Sequence, residues 1–310
     1  MKILITGGAG FIGSHIVEKY IDIGHEVAVI DNLNSGNRDH IKKVKFYDLS
    51  ITEKVVEDVF SEFRPDVVNH HAAQVSIEAA TTAPHLDAEY NILGTLKILE
   101  CCILFNVRKI IFASSCAIYG DCGQKPISED KVCNPCNPYA ISKLASEMYI
   151  KFYRQQHGLA YTIFRYSNVY GPRQSVSGES GVVPIFLQCI KNAQRPTIYG
   201  QKLKGDKGCY RDYVFIGDVA IANTIALTNG DFKTLNVGTG VGTNTFDLFY
   251  KIAESAGIKK KVVNFELPRS SDIGFMTLDN TKIFDTLGWK PSTTLEEGLN
   301  LTSSYYLRLK

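Results

Sequence analysis

The chain has 310 residues, 45% of them hydrophobic and 21% charged, with 34 basic against 32 acidic side chains and a formal net charge of +2. That length can bury one large α/β core, or a large core with a smaller one beside it, and the even charge offers no basic stripe to track a phosphate backbone, so nucleic acid is not an expected partner. No apolar run approaches the roughly 20 residues that span a bilayer, and the N-terminus enters a strand pattern at once, so no membrane partner is expected and the cytoplasm is the expected compartment.

Strand and helix patterns alternate from the first residues. Residues 3–6 read as a short strand, followed by a glycine-rich turn and a helix over 11–23. Further strands are expected at 26–31, 44–49, 66–72, 109–114 and 161–166, with helices at 53–63, 84–105 and 138–157. Such alternation predicts a parallel sheet covered on both faces, a doubly wound α/β fold. Beyond 166 the rhythm loosens, with a break at Gly171-Pro172 and a serine- and glycine-rich stretch over 175–181. A short helix at 183–192, a strand at 197–199 and a glycine- and lysine-rich loop over 200–208 follow. Residues 212–218 and 235–237 read as extended, 245–256 as helix, 262–266 as extended and 278–287 as the last helix. The eight cysteines are scattered, as reduced thiols are. Cys133-x-x-Cys136 has metal-ligand spacing, but no second pair completes a four-thiolate site, and no metal is expected.

Thr6-Gly7-Gly8-Ala9-Gly10-Phe11-Ile12-Gly13 joins the first strand to the first helix. Glycines permit the tight turn and let the backbone approach a pyrophosphate at the positive end of the helix. The string satisfies both G-x-G-x-x-G from Gly8 and G-x-x-G-x-x-G from Gly7, so spacing does not choose the subtype. Asp31 ends the second strand 18 residues after Gly13. It is placed to accept from ribose hydroxyls and to repel a 2′-phosphate, which favours NAD over NADP.

Asn137 can cap the 138–157 helix with Pro138 as its first residue. Tyr139 and Lys143, four residues apart, then share one face. A cation beside a phenol favours the phenolate and lowers a pKa that is about 10 when unperturbed. Among 16 tyrosines about one Tyr-x-x-x-Lys is expected by chance, so the pair takes its weight from the motifs around it. The 84–105 helix carries Ile92, Leu93, Leu96, Ile98, Leu99 and a 101–105 run that is apolar almost all round. Burial within the monomer and a helix-pair dimer interface both answer that pattern.

With these residues together the chain resembles the extended short-chain dehydrogenase/reductase family and, within it, the NAD-dependent nucleotide-sugar epimerases. The resemblance runs through nearly the whole length. Its further marks are Asp48-Leu49, His70-His71-Ala72-Ala73-Gln74, Asn91, Ser114-Ser115-Cys116-Ala117-Ile118-Tyr119-Gly120 and Arg165-Tyr166-Ser167-Asn168. Later marks are Arg211-Asp212-Tyr213, Arg269-x-x-Asp272, Leu287-Gly288-Trp289-x-Pro291 and Leu295-Glu296-Glu297-Gly298.

The resemblance implies a Rossmann-type domain over 1–170 that includes the catalytic Ser, Tyr and Lys. It implies a smaller nucleotide-sugar lobe, mainly 171–310, with some segments returning to the first domain. NAD would be held by Gly7, Gly10, Phe11, Ile12, Gly13, Asp31, Asn32 and Leu33, with Asp48 and Leu49 edging the adenine. Ala72, Ala73, Gln74, Asn91, Ser114, Tyr139, Lys143 and Tyr166 would complete the cofactor site. Ser115, with Tyr119 near it at the ligand edge of the sheet, would hold the sugar hydroxyl that Tyr139 deprotonates, while Lys143 keeps Tyr139 acidic. Lowering that phenol by about three units takes roughly 4 kcal/mol. Asn168, Arg211 and Arg269 would bind the diphosphate, a role suited to the planar guanidinium fork, and Val182 and Tyr199 the uracil and ribose.

Dehydratases and decarboxylases of this kind carry an acid after the strand-end Ser or Thr, where this chain has Cys116 and Ala117. The expected reaction is therefore epimerisation at C4 of a UDP-hexose through a 4-keto sugar, in a homodimer paired through the helices near 84–105 and 138–157. UDP-N-acetylglucosamine or UDP-glucuronate as substrate, an NADH-linked reductase and a non-catalytic dinucleotide sensor are the alternatives. Ser167 stands where an aromatic is usual, Cys209-Tyr210 replace polar residues before Arg211, and Met276 falls where room for a 2-N-acetyl group is set.

Overall fold

The computed structural model describes residues 1–42, 44–175, 181–259, 261–269 and 272–308. Strand β1 (Lys2–Thr6) passes through the glycine turn into α1 (Phe11–Asp22), and β2 (Glu26–Asp31), β3 (Lys45–Asp48) and α2 (Val56–Phe63) follow. After β4 (Val67–His70) come two short helices, α3 (Ile77–Thr82) and α4 (Pro84–Ala88), a π-helical turn over Glu89–Leu93, and α5 (Gly94–Leu104). Strand β5 (Lys109–Ser115), α6 (Pro138–His157) and β6 (Ala160–Tyr166) complete the alternation. The helix expected over 84–105 is thus divided. Its middle is a π turn because the Asn91 carbonyl is drawn to the Thr95 hydroxyl at 2.6 Å and the Ser146 hydroxyl of α6 at 2.9 Å.

The second half contains β7 (Asn168–Tyr170), α7 (Val182–Lys191), β8 (Thr197–Tyr199), β9 (Tyr210–Phe215), α8 (Ile216–Ala226) and β10 (Lys233–Val237). It continues with β11 (Gly242–Asn244), α9 (Thr245–Ser255), β12 (Asn264–Glu266), β13 (Phe275–Met276), α10 (Thr281–Leu287) and α11 (Leu295–Arg308). Most of the serine- and glycine-rich stretch, 176–180, lies outside the described residues. Two expectations are corrected. Residues 216–218 are not extended but open α8, a helix buried on several sides, and such a helix has no amphipathic period to separate it from a buried strand. The last helix is α11 rather than 278–287. It is opened by a capping box in which the Thr294 N–H bonds Glu297 at 2.9 Å and the Glu297 N–H bonds the Thr294 hydroxyl at 3.3 Å.

Seven strands form one all-parallel sheet in the order β3-β2-β1-β4-β5-β6-β10. The order reverses between β1 and β4, and ligands of doubly wound sheets bind at the carboxyl ends beside that reversal. Alternate residues enter different cores. Ile3, Ile5, Val27 and Val29 pack against α1 and α8, while Leu4, Ala28, Ile30 and Val68 pack against α2, α5 and α6. Each of the Ile, Val and Leu side chains contributes about 1.5–3 kcal/mol on burial. A second sheet joins β11, β9 and β13, with β7 also on β9. Its apolar cluster unites Val183, Phe186, Leu187, Leu248, Phe249 and Leu299 from α7, α9 and α11.

Candidate active site

The glycine turn leaves no room for side chains. Gly7 sits at φ +70°, and a Cβ there would lie 2.6 Å from the Ala72 nitrogen; one at Gly13 would strike the Gly7 carbonyl oxygen. Gly10 caps α1 with extended backbone, and Phe11 and Ile12 are half-buried behind the turn. At the end of β2 the buried Asp31 accepts from the Ala9 N–H and the Leu33 N–H, both at 2.9 Å. Burial pushes its carboxyl up, and these N–H groups pull it back. Leu33 takes φ +55°, Asn32 bonds the Asn34 N–H at 3.2 Å, and Asp48 pairs with Asp31 in register at the exposed end of β3. Leu49 is half-buried against the second core. The carboxylate edge and the cradle thus lie on adjoining strand ends.

The end of β4 is fixed by a directed chain of hydrogen bonds. Because the Thr95 hydroxyl donates to the Asn91 carbonyl, it accepts from His70 Nε2 at 3.0 Å, which leaves Nδ1 to accept from the Thr6 hydroxyl at 2.6 Å. Burial pushes His70 down to about 3, so its imidazole is neutral. Asn91 Nδ2 reaches the Gln74 carbonyl at 2.8 Å, Asp87 Oδ1 at 2.9 Å and the Ser142 hydroxyl at 3.1 Å, and Asn91 Oδ1 accepts from the Gln74 N–H at 2.8 Å. The Gln74 amide in turn donates to Asp87 and to the Ser76 carbonyl. Gln74 therefore commits its side chain to Asp87 and Ser76, and Asn91 its side chain to the Gln74 backbone, Asp87 and α6, while Ala72 and Ala73 stay half-buried at the strand end.

Helix α6 starts where Asn137 Oδ1 accepts from the Ala140 N–H at 2.9 Å, with Pro138 as first residue. One turn in, Lys143 is buried; its Nζ donates to the Ala113 carbonyl at 2.9 Å and stands 5.9 Å from the centre of the Tyr139 ring. Burial draws its ammonium down to about 8, against the pull of the Asp87 carboxylate. Ser115 ends β5, half-buried, and its oxygen accepts from the Ala117 N–H at 3.2 Å. The adjacent Ser114 turns inward and donates to Glu147 at 2.6 Å. Tyr166 is also turned inward, its hydroxyl accepting from Asn223 at 2.8 Å and its ring stacked on His71. Tyr119 is not at the ligand edge: it lies wholly buried, donating to Asn236 at 2.7 Å and accepting from Arg165 at 2.9 Å. Its size and the buried guanidinium hold it in the core.

In the smaller lobe, β9 collects the polar candidates. Asn168 on β7 pairs with Tyr213, and Met276 on β13 pairs with Arg211. Arg211 donates to the carbonyls of Ile273 at 2.6 Å and Tyr210 at 2.9 Å. Its charge opposes the burial that pushes the Cys116 thiol up to about 12. Arg269 is paired with Asp272 at 2.9 Å and lies over the Tyr199 ring at 4.4 Å. Val182 opens α7. Among the described residues, buried polar atoms without a hydrogen-bond partner include His71 Nδ1 and Ser167 Oγ, which flank Tyr166 in contact or in sequence. Orphaned polar atoms after β4 and β6, on the same carboxyl edge as the glycine cradle and the strand-end carboxylate, fit a polar dinucleotide along this edge.

The model of the NAD dependent epimerase/dehydratase family matches residues 3–238. The chain belongs to this family. The UDP-glucose 4-epimerase of Mycolicibacterium smegmatis is 38% identical to it, over 99% of this chain and 98% of that one. The crystal structure of UDP-glucose 4-epimerase with UDP-glucose from Thermotoga maritima is 43% identical, with a TM-score of 0.94 over 99% of this chain and 98% of that one. That of the Thermus thermophilus UDP-glucose 4-epimerase complex with NAD is also 43% identical, with a TM-score of 0.95 over the whole of both chains.

Against this epimerase/dehydratase background, the residues that sequence reading passed over are those supporting the site. Glu147, one turn beyond Lys143, binds Ser114 and holds Arg165 at 2.7 Å. An acid at the i+4 position on the Tyr139–Lys143 face, with an arginine in a buried strand, was the available signal. Asp87 offered only its i+4 spacing to Asn91, and His70, one of the marks of the resemblance, takes its partners Thr6 and Thr95 from 64 and 25 residues away.

Proposed function

We infer that this family member is an NAD-dependent epimerase acting at C4 of a UDP-hexose, interconverting UDP-galactose and UDP-glucose. The observation that supports the reading is Lys143, set beside the Tyr139 ring on α6 and bonded to β5, the strand that ends at Ser115, in the same sheet whose β1 and β2 end at the glycine cradle and Asp31. NAD, when bound, takes a hydride from the sugar and returns it. Gly7, Gly10 and Gly13 would take its pyrophosphate, Asp31 its adenosine ribose, and Lys143 its nicotinamide ribose.

Tyr139 removes the proton of the 4-hydroxyl and later restores it, and Ser115 orients that hydroxyl. The Lys143 ammonium favours the phenolate in a buried setting where a charge acts strongly. Asn168, Arg211 and Arg269 anchor the diphosphate, so the sugar can turn about that anchor between the two hydride transfers, with Val182 and Tyr199 on the uridine. Beside Ser115, Cys116 is a buried thiol of high pKa and Ala117 has no ionisable side chain. Dehydration therefore lacks its acid–base pair, and epimerisation needs no acid–base group beyond Tyr139.

The chain divides in this reading into a cofactor domain, 1–170, and a sugar-nucleotide lobe, mainly 171–310, which returns β10 to the large sheet. Helices α5 and α6 expose Leu104 on one and Ile141, Met148, Tyr149 and Phe152 on the other, and a homodimer pairing these helices would bury them. Among the described residues no helix is long and apolar enough to cross a membrane, and we assign the protein to the cytoplasm. The deciding experiment is incubation of the purified protein with UDP-galactose and no added cofactor. UDP-glucose should form without net NADH. Stoichiometric cofactor consumption would mean a reductase, and turnover only of UDP-N-acetylhexosamines or UDP-uronates would move the substrate.

A further inference from the structure

Asp87 is a carboxylate that the chemistry above leaves unused. It lies in α4 and is 1% exposed, and its Oδ1 accepts from Gln74 Nε2 at 3.0 Å and Asn91 Nδ2 at 2.9 Å. The same Asn91 nitrogen reaches Ser142, the residue before Lys143, whose own hydroxyl donates to the Tyr139 carbonyl at 2.9 Å. Asp87 is thereby tied on one side to the loop after β4 and on the other to the helix that carries Tyr139 and Lys143. A carboxylate held out of water gains from such amide donors and gains further from a cation within reach of its charge.

We propose that Asp87 is a positioning residue of this reaction, the fixed negative charge that holds the Lys143 ammonium charged and in place beside Tyr139. The groups facing Lys143 from each packed element support that role. From β4 come His70 and His71, both neutral because burial pushes them to about 3, with Lys143 itself opposing their protonation. From β5 come the Ala113 carbonyl and the Phe112 ring, and from its own helix the Tyr139 phenol. Asp87 is the group whose charge favours the protonated amine against the pull of burial. Without it the ammonium would stand beside two neutral imidazoles and an aromatic ring, with burial drawing its proton off unopposed by that charge. Tyr139 would then have no cation.

The test uses Asp87→Asn, which keeps shape and an accepting oxygen. This first arm rests on the epimerase reading: kcat for UDP-galactose is followed from pH 6 to 10. The high-pH limb should move down by about one unit or more, the reach of one buried charge on another, while KM for the UDP-sugar stays within about twofold. A limb that stays in place with kcat lowered equally at every pH would make Asp87 a packing residue and overturn the proposal. The second arm reads no activity, so it stands if the epimerase reading fails. Urea midpoints are measured for Asp87→Asn, Lys143→Met and the double variant. The Asp87→Asn loss should shrink at least by half when Lys143 is absent, and a chain that folds only as the double variant would support the same pairing. Equal losses in both backgrounds, or failure to fold in both, would overturn it.

Discussion

Lys143 and Glu147 stand one turn apart on α6 and grip consecutive residues of β5. The Lys143 ammonium takes the Ala113 carbonyl at 2.9 Å, and the Glu147 carboxylate takes the Ser114 hydroxyl at 2.6 Å. The next residue is Ser115, so the distance from Ser115 to the Tyr139 helix is fixed from directly beneath. Glu147 is in turn held by two bonds from Arg165 on β6, at 3.0 and 2.7 Å. The grip spans two strands.

Removing the Glu147 charge should therefore cost both stability and turnover. Glu147→Gln leaves the Arg165 guanidinium buried without its counter-charge, a change worth about 3–5 kcal/mol. Urea denaturation reads the loss. A loss below about 1 kcal/mol would show that Arg165 finds another partner and that the grip is not electrostatic.

Tyr139→Phe keeps the ring and removes the acid–base group. Turnover should fall by about a thousandfold or more, while NAD and UDP affinities stay near wild type. Binding is read by calorimetry, turnover by chromatography. Activity within tenfold of the parent would remove Tyr139 from the reaction.

Asp31→Ala should weaken NAD far more than NADP. The carboxylate accepts from two backbone N–H groups and keeps lone pairs for a ribose diol, and its charge opposes a 2′-phosphate. A ratio of affinities for NAD over NADP that falls at least tenfold is expected from titration of the purified variant. Equal losses would place the preference elsewhere.

The protein should lose stability as pH falls below about 6.5. Burial holds His70 near 3 and His15 near 4, whereas the unfolded chain binds those protons near the ordinary value of 6.5. The unfolded state thus gains protons first, and stability falls with pH by up to about 1.4 kcal/mol per unit for each imidazole withheld. His71, also held near 3 but less enclosed by area, adds a smaller share. Urea midpoints at pH 7, 6 and 5 check this, and a flat profile would contradict the buried neutral imidazoles.

The exposed face of α6 makes the assembly testable. Ile141, Met148, Tyr149 and Phe152 follow helical spacing, and Met148 is 65% exposed in the single chain. Met148→Lys with Phe152→Glu should convert a dimer to a monomer in sedimentation analysis with little change in the stability of the single chain. A parent that sediments as a monomer, or a variant that stays dimeric, would place the interface elsewhere.

Local rules sufficed for much of this molecule. A glycine run after an apolar strand, an acid at the next strand end and a capped helix with Tyr139 and Lys143 on one face each act within a few residues, so the first six strands of the large sheet, the glycine turn and the capped start of α6 were legible in the chain itself. Where the rules compete, the sequence was silent. Residues 216–218 and 295–308 were misread or passed over, because α8 has no amphipathic period and the Thr294–Glu297 capping box was not used as a start signal. Only the tertiary structure decided which polar side chains face the ligand edge and which face one another. Ser114, Tyr119 and Tyr166 turn inward to partners 33, 117 and 57 residues away, and Asp87 meets the catalytic helix through Asn91. A buried polar group must find its partner wherever the fold brings one, and that choice is made by packing across the sheet rather than along the chain.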